Sequence, residues 1–556
     1  MRSPGARRLI LTAGLGLPGV SSPAAQEGVR LEDVTAESGV RFLHEPGDLS
    51  RFPLPAIMGS GAALFDADGD GDLDIYLIQA GPLPEDRDGI LAAEIPGNRL
   101  FLQQPNGGFR DDAGARGLFD RGYGAGVAVG DVNGDGGADV FVANHGEDAL
   151  YFGGGGSFLR MDSSVFGERW SSSAALCDYD GDTDLDLYVG GYLADDPDRN
   201  CVSASGEPDF CSPQSLPYER DGLFRNRGDG TFEDVSGEAG ILSERRPALG
   251  VLCHDFTGDG RLDFYVANDG EPNLLWEQAE DGTFSDAALF LGVALNAQGR
   301  SEASMGVLLG DVDGDADLDL FMTHLRAQTN TLYRNQGGGY LDDTPAMGLA
   351  LPSLPWTGFG TRFLDLEMDG DLDLLLVNGA VAREGGTPAA GGLDVYAEPA
   401  QAFLGDGGGR FDEAAVEGFT DVRSVGRGLV TGDWDRDGDL DLLVTAVGGP
   451  ARLFENRSSR EGGFLIVEPR EFARASPGAV VTLELGGRSL VRALNPEAGY
   501  LTSSEPVAHF GIPAGAEVTG LRVRWPDGAQ ERFEPPAPNT RVVASRTAPP
   551  ERVSPE

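Results

Sequence analysis

Seven copies of one aspartate-rich nine-residue stretch, each running straight into a β-rich run, predict an all-β chain. The expected architecture is a seven-bladed β-propeller with calcium-binding loops, followed by a small antiparallel β module. Composition agrees: 83 glycines and 34 prolines supply many turns, and 40% hydrophobic content still suffices for a core.

The first copy is DADGDGDLD, with Asp66, Asp68, Asp70, Asp72 and Asp74 at alternate positions; we call it loop 1. Loop 2 is DVNGDGGAD (Asp131, Asn133, Asp135, Gly137, Asp139), and loop 3 is DYDGDTDLD (Asp178, Asp180, Asp182, Asp184, Asp186). Loop 4 is DFTGDGRLD (Asp255, Thr257, Asp259, Arg261, Asp263), and loop 5 is DVDGDADLD (Asp311, Asp313, Asp315, Asp317, Asp319). Loop 6 is DLEMDGDLD (Asp365, Glu367, Asp369, Asp371, Asp373), and loop 7 is DWDRDGDLD (Asp433, Asp435, Asp437, Asp439, Asp441).

Each loop is followed by a strand-forming run, from IYLI at Ile75 to LLV at Leu442. Most units then show a hairpin text with a glycine-rich turn, such as GLFRNRGDGTF from Gly222 and NTLYRNQGGGY from Asn330. With the strand that enters each loop, this makes four antiparallel strands per unit over residues 30 to 460. The segment from Gly28 to Glu45 resembles the end of a repeat, so an N-terminal strand is expected to complete the last unit and close the ring.

Calcium takes six to eight oxygen ligands, and these loops offer side chains at positions 1, 3, 5 and 9 with a backbone carbonyl at position 7. The variation fits that division. Position 7 is Asp72 in loop 1 but Gly137 in loop 2 and Arg261 in loop 4, while positions 1, 5 and 9 are Asp throughout. Asn133 and Thr257 at position 3 predict that loops 2 and 4 bind most weakly. Glycine or a small residue at position 6 suits the sharp turn. No His or Cys stands at a ligand position, which argues against zinc. Up to seven Ca²⁺ are therefore expected.

The formal charge is −48, and all 42 basic residues are arginine. Such a chain repels nucleic acid and anionic membrane surfaces, and the absence of lysine excludes Schiff-base chemistry. Residues 1 to 25, with Arg2, Arg7 and Arg8 before an apolar run and then small residues, read as a signal peptide. Export by the Sec or the twin-arginine route is open, and the destination is periplasmic, extracellular or cell-surface. No other stretch approaches the length of a membrane span. Cys201 and Cys211 are expected to pair in an oxidising compartment. Cys177 and Cys253 lie at different offsets from their loops and are expected to remain unpaired, small buried hydrophobes.

The aspartate loops followed by the hairpin text resemble the FG-GAP or VCBS repeats of integrin α-subunit propellers and of many bacterial exported proteins. Over residues 461 to 545, GGFLIVEP from Gly462, GYLTSSEPVAHFGIP from Gly499 and VTGLRVRWPDG from Val518 resemble the ASPIC/UnbV module. The combination is similar to the cartilage acidic protein-like family, which implies calcium binding more firmly than a role. The stretch EFARASPGA departs from the family's usual text. Residues 546 to 556 read as a disordered tail.

The five histidines form no metal or nucleophile motif, and no GxSxG, HExxH or phosphate loop occurs. His145, His324, Asn268 and Asn378 follow the post-loop strand, and Trp170 and Trp356 precede the strand entering a loop. Together they form a candidate ligand face; the alternative is that they only bond neighbouring units. Three readings compete: an exported recognition or adhesion protein with a protein or glycan ligand, a glycan-active lyase-like enzyme, and a calcium-stabilised scaffold. Without lysine and with scattered histidines, the first is favoured. The sequence does not set the oligomeric state.

Overall fold

A computed structural model describes residues 24–194, 199–203, 206–383, 392–460, 462–472 and 474–546. The expected signal peptide lies outside these residues except for Ala24 and Ala25, which open the strand Ala24–Asp33. The expected tail also lies outside, except that Arg546 closes the strand Thr540–Arg546.

Every repeat folds into four short antiparallel strands. In unit 1, Ala62–Phe65 enters loop 1, Asp74–Leu77 leaves it, and Arg99–Gln103 and Phe109–Asp111 form the hairpin. The strands entering loops 2 to 7 are Tyr123–Gly130, Glu168–Cys177, Ala248–His254, Val307–Gly310, Gly358–Leu364 and Gly426–Gly432. The strand leaving each loop is apolar at consecutive positions because both its faces are covered; Ile75, Tyr76 and Leu77 are all buried. Unit 7 draws its fourth strand from the N-terminus, where Leu31, Glu32 and Asp33 pair with Asn456, Glu455 and Phe454. The strands entering the loops neighbour one another in chain order, and that of unit 7 neighbours that of unit 1.

The C-terminal region forms two four-stranded sheets. One sets Gly463–Glu471 between Ala508–Ile512 and a parallel Thr540–Arg546. The other runs Arg488–Ala493, Val480–Leu485, Val518–Arg524, Gln530–Phe533. Leu465, Val481, Leu483, Phe510, Val523 and Trp525 fill the space between them.

From this module, residues 499–504 reach among the loop-entering strands of the repeats. Gly499 N–H donates to Val307 O at 2.7 Å, and Leu501 N–H donates to Ser173 Oγ at 3.2 Å. Thr502 and Ser503 pair in parallel with Ala62 and Ala63, and Thr431 N–H donates to Ser504 Oγ at 3.1 Å. Tyr500 Oη reaches Met58 O at 2.8 Å, at the end of the short helix Pro55–Met58. There it joins a buried cluster with Trp170, Tyr192, Phe359 and Tyr396. The Arg427 guanidinium lies 3.7 Å over the Phe359 ring.

Cys201 and Cys211 are joined, as expected. Cys177 and Cys253 are also joined, against expectation, with Cα atoms 6.5 Å apart. They lie on loop-entering strands of neighbouring units, which are not paired in one ladder. Counting residues back from each loop therefore does not set the relative height of two such strands, and one residue of offset is no bar to a bridge. No helix among the described residues is long and apolar enough to cross a membrane.

Candidate metal centres

The carboxylate at position 1 organises each loop. Asp66 Oδ1 accepts Gly69 N–H at 2.7 Å and its Oδ2 accepts Gly71 N–H at 2.9 Å. Asp131, Asp178, Asp255 and Asp311 repeat both contacts, turning the loop around one side chain. This winding places position 6 in the left-handed region, where Thr183 (φ 80°) and Ala316 (φ 74°) stand in for glycine.

Position 9 fastens the loop to its hairpin. Asp74 accepts Ala67 N–H at 2.9 Å and Gln103 N–H at 2.8 Å; Asp263 accepts Phe256 N–H at 3.0 Å and Gln278 N–H at 2.9 Å. The Asp repeated at this position thus has a structural task beside any metal.

Carboxylate oxygens converge to within 4.8 Å in four loops, at Asp66/Asp68/Asp70, Asp178/Asp180/Asp186, Asp311/Asp313/Asp315 and Asp433/Asp435/Asp437. These are loops 1, 3, 5 and 7. Asp68 Oδ1, Asp433 Oδ1, Asp439 Oδ1 and Asp441 Oδ2 are buried with no hydrogen-bond donor, an arrangement that a cation would relieve. Burial, with neighbouring carboxylates adding to it, pushes Asp178 up to about 7, Asp186 to about 9, Asp433 to about 7 and Asp439 to about 8. Hard oxygen donors, crowded negative charge and orphaned oxygens fit Ca²⁺ in these four loops, where it would neutralise the carboxylates and tie the turn together. In loops 2, 4 and 6 no three-carboxylate group of this kind is found among the described residues. Asn133 and Thr257 account for the first two. In loop 6, Glu367 shares a hydrogen bond with Asp373 while its Oε2 is buried with no partner, and burial raises both carboxyls.

The C-terminal module lays arginines on the loops. Arg474 Nη1 donates to Thr183 O and Asp184 Oδ1, both at 3.0 Å, and its Nε lies 3.6 Å from Asp131 Oδ2, so it bridges loops 2 and 3. Arg488 donates to Asp371 Oδ1 and Asp369 O, both at 2.7 Å. Arg524 donates to Asp255 Oδ2 at 2.9 Å. Sequence reading did not single out these residues. Nine of the 42 arginines fall in residues 470–546, a concentration that was visible in a chain without lysine.

The candidate ligand face is placed differently from the loops. Trp170, His324, Asn268 and Asn378 are buried. His324 Nδ1 bonds Thr329 O at 2.8 Å and its Nε2 bonds Ser304 Oγ at 3.0 Å. Asn268 and Asn378 donate to Pro272 O and Pro399 O, at 3.1 and 2.8 Å. Trp170 packs edge-on against His145, centroids 5.2 Å apart. His145 and Trp356 are half-buried, and the Arg423 guanidinium sits 5.9 Å from the Trp356 ring centre.

Comparison with known proteins adds to this geometry. The family model for ASPIC and UnbV matches residues 471–550, and that for FG-GAP-like repeats matches 131–189, 255–322 and 311–376. Human cartilage acidic protein 1 is 26% identical over 485 residues, covering 84% of this chain and 60% of its own length. The Xenopus tropicalis protein of that name is 25% identical over 481 residues, covering 84% and 61%. The chain therefore spans about three-fifths of the length of these curated relatives. Among solved structures, an Agrocybe aegerita lectin described as recognising non-reducing terminal N-acetylglucosamine is 15% identical, covers 66% of this chain and 89% of its own, and overlays with a TM-score of 0.38. BBS1N, in a complex with ARL6DN, is 10% identical, covers 78% and 99%, and overlays at 0.40. This chain thus carries FG-GAP-like repeats followed by an ASPIC and UnbV domain, and it is homologous to cartilage acidic protein 1 over most of its length.

Proposed function

We propose that the chain is an exported, calcium-loaded seven-bladed β-propeller that works as a recognition or adhesion protein. The observation that carries the calcium reading is the convergence of carboxylates in loops 1, 3, 5 and 7, with donor-free oxygens in loops 1 and 7. The closed neighbour order of the loop-entering strands supports the seven blades. Two disulfides support export, because such bonds persist in oxidising compartments. Homology to cartilage acidic protein 1 favours recognition over catalysis. The His324 ring, buried and bonded on both nitrogens, has no opening towards a substrate.

The half-buried Trp356 is the residue of the candidate face best placed to meet a ligand. Calcium titration by native mass spectrometry tests the metal reading; a chain that binds no calcium at millimolar concentration sinks it. A printed glycan panel probed in calcium and in chelator, with wild type and Trp356→Ala, tests recognition. Calcium-dependent signals that the variant loses support a glycan ligand, and signals identical in both proteins move the ligand away from Trp356.

A further inference from the structure

Loop 4 carries the nine-residue text of its neighbours, yet its oxygens are already taken. Asp255 Oδ1 accepts Gly258 N–H at 2.7 Å and Asp259 N–H at 3.1 Å. Asp255 Oδ2 accepts Gly260 N–H at 3.2 Å and the Arg524 guanidinium at 2.9 Å. Asp259 Oδ1 accepts Arg261 N–H at 3.0 Å, and its Oδ2 is paired with the Arg261 guanidinium. That guanidinium is held in place by Arg261 Nε donating to Gln278 O at 3.0 Å. Both oxygens of Asp263 accept backbone N–H groups. Only Thr257 Oγ1 is left without a partner, and a hydroxyl adds no charge to a ligand set.

The module also crowds the loop from outside. A Cβ placed on Gly260 would meet Asp527 O at 3.3 Å, so the turn after Trp525 lies directly against the loop backbone. Asp255 is nearly inaccessible, its side chain 3% exposed beneath Arg524. Charge-assisted bonds at a site this covered are strong and weakly screened. The contrast with loops 1 and 7 is direct, since these keep buried carboxylate oxygens with no donor at all.

We propose that loop 4 is not a calcium site: the guanidiniums of Arg261 and Arg524 take the place of the divalent cation. Because Arg524 comes from the C-terminal module, the same ion pairs fasten that module to unit 4. Two fixed charges supplied by the chain itself balance Asp255 and Asp259, and no chelator removes them. The inference rests on the calcium reading above for the other loops.

The test counts Ca²⁺ bound to the full chain by native mass spectrometry and calorimetry, with calcium alone as the probe. Asp255→Asn is expected to bind as many ions as wild type, whereas Asp311→Asn, at the same position in loop 5, is expected to bind one fewer. The double variant Arg261→Gly/Arg524→Gln frees Asp255 and Asp259 and is expected to gain one ion. Loss of an ion in Asp255→Asn, or no gain in the double variant, overturns the proposal. The double variant keeps the test decisive if Asp255→Asn does not fold. A wild-type chain that binds no calcium defeats the broader reading and this inference together. A wild-type count that falls with Asp255→Asn as it does with Asp311→Asn defeats this inference alone.

Discussion

Loops 1, 3, 5 and 7 gather three carboxylates within 4.8 Å, and loops 2, 4 and 6, built from the same nine-residue text, do not. Positions 1 and 9 are Asp in every loop, so residue identity there does not make the difference; in loop 1 these two shape the turn and anchor the hairpin. What separates the two sets is position 3. Position 3 is Asn133 in loop 2, Thr257 in loop 4, and in loop 6 a Glu turned to Asp373. Arginines of the C-terminal module meet loops of both sets: Arg474 spans Asp131 in loop 2 and Asp184 in loop 3, Arg524 meets Asp255 in loop 4 and Arg488 meets Asp371 in loop 6. A repeated motif can thus keep its frame in every copy while one position decides whether three carboxylates converge.

The largest test of this division is chelation. Four sites with a Kd of about 10⁻⁴ M would each contribute about 1.4 kcal/mol at 1 mM calcium. Together they amount to roughly 5–6 kcal/mol, and melting should fall by about 5 °C in chelator. An unchanged melting curve would break the comparison. Next in size is the bridge between Cys177, which enters loop 3, and Cys253, which enters loop 4. Replacing both with Ser should cost about 4 kcal/mol, because the bridge closes a loop of 76 residues. Denaturant unfolding of the full chain measures it, and a loss that vanishes in chelator would tie the bridge to metal rather than to chain entropy.

A smaller effect sharpens the contrast itself. Asp66→Asn, in loop 1, should bind one calcium fewer and lose about 1.4 kcal/mol of calcium-dependent stability. Asp131→Asn, in loop 2, loses the backbone N–H bond at one oxygen and the pairing with Arg474, but should keep the wild-type count, so its loss of stability should be the same in calcium and in chelator. Equal losses of calcium in the two variants would remove the distinction between the sets.

Much of this was legible before folding. The alternating carboxylates, the glycine or small residue at position 6 and the strand text marked every loop and its exit strand, because these depend on residues adjacent in sequence. That loops 2 and 4 lack a carboxylate at position 3 was readable from Asn133 and Thr257. Long-range placement was not. That Cys177 meets Cys253, that Arg524 finds Asp255 269 residues away, and that Tyr500 reaches Met58 all depend on how units stack, which no local pattern encodes. The candidate ligand face failed to form as one open surface for a related reason. Residues after the post-loop strand carry the hydrogen bonds that fix the next turn, as His324 does with Thr329, so four of the six are buried.

A last test separates module docking from metal binding through a carboxyl that belongs to no loop. Glu497 lies just before the segment that enters among the repeats, fully enclosed, with Arg362 nearby. Burial pushes it from an ordinary 4.5 up to about 8, against the weaker opposing pull of Arg362. The folded chain therefore holds a proton that the unfolded chain releases. That contribution is fully present below pH 4.5 and is lost as pH rises through about 8. Glu497→Gln, neutral at every pH, should flatten this loss, so that in saturating calcium the variant melts roughly 2–4 °C above wild type at pH 9. At pH 5, where both side chains are largely neutral in the fold, the two curves should nearly coincide. A pH dependence that disappears in the variant would belong to Glu497 and the docked segment, and one that survives would belong to other carboxyls.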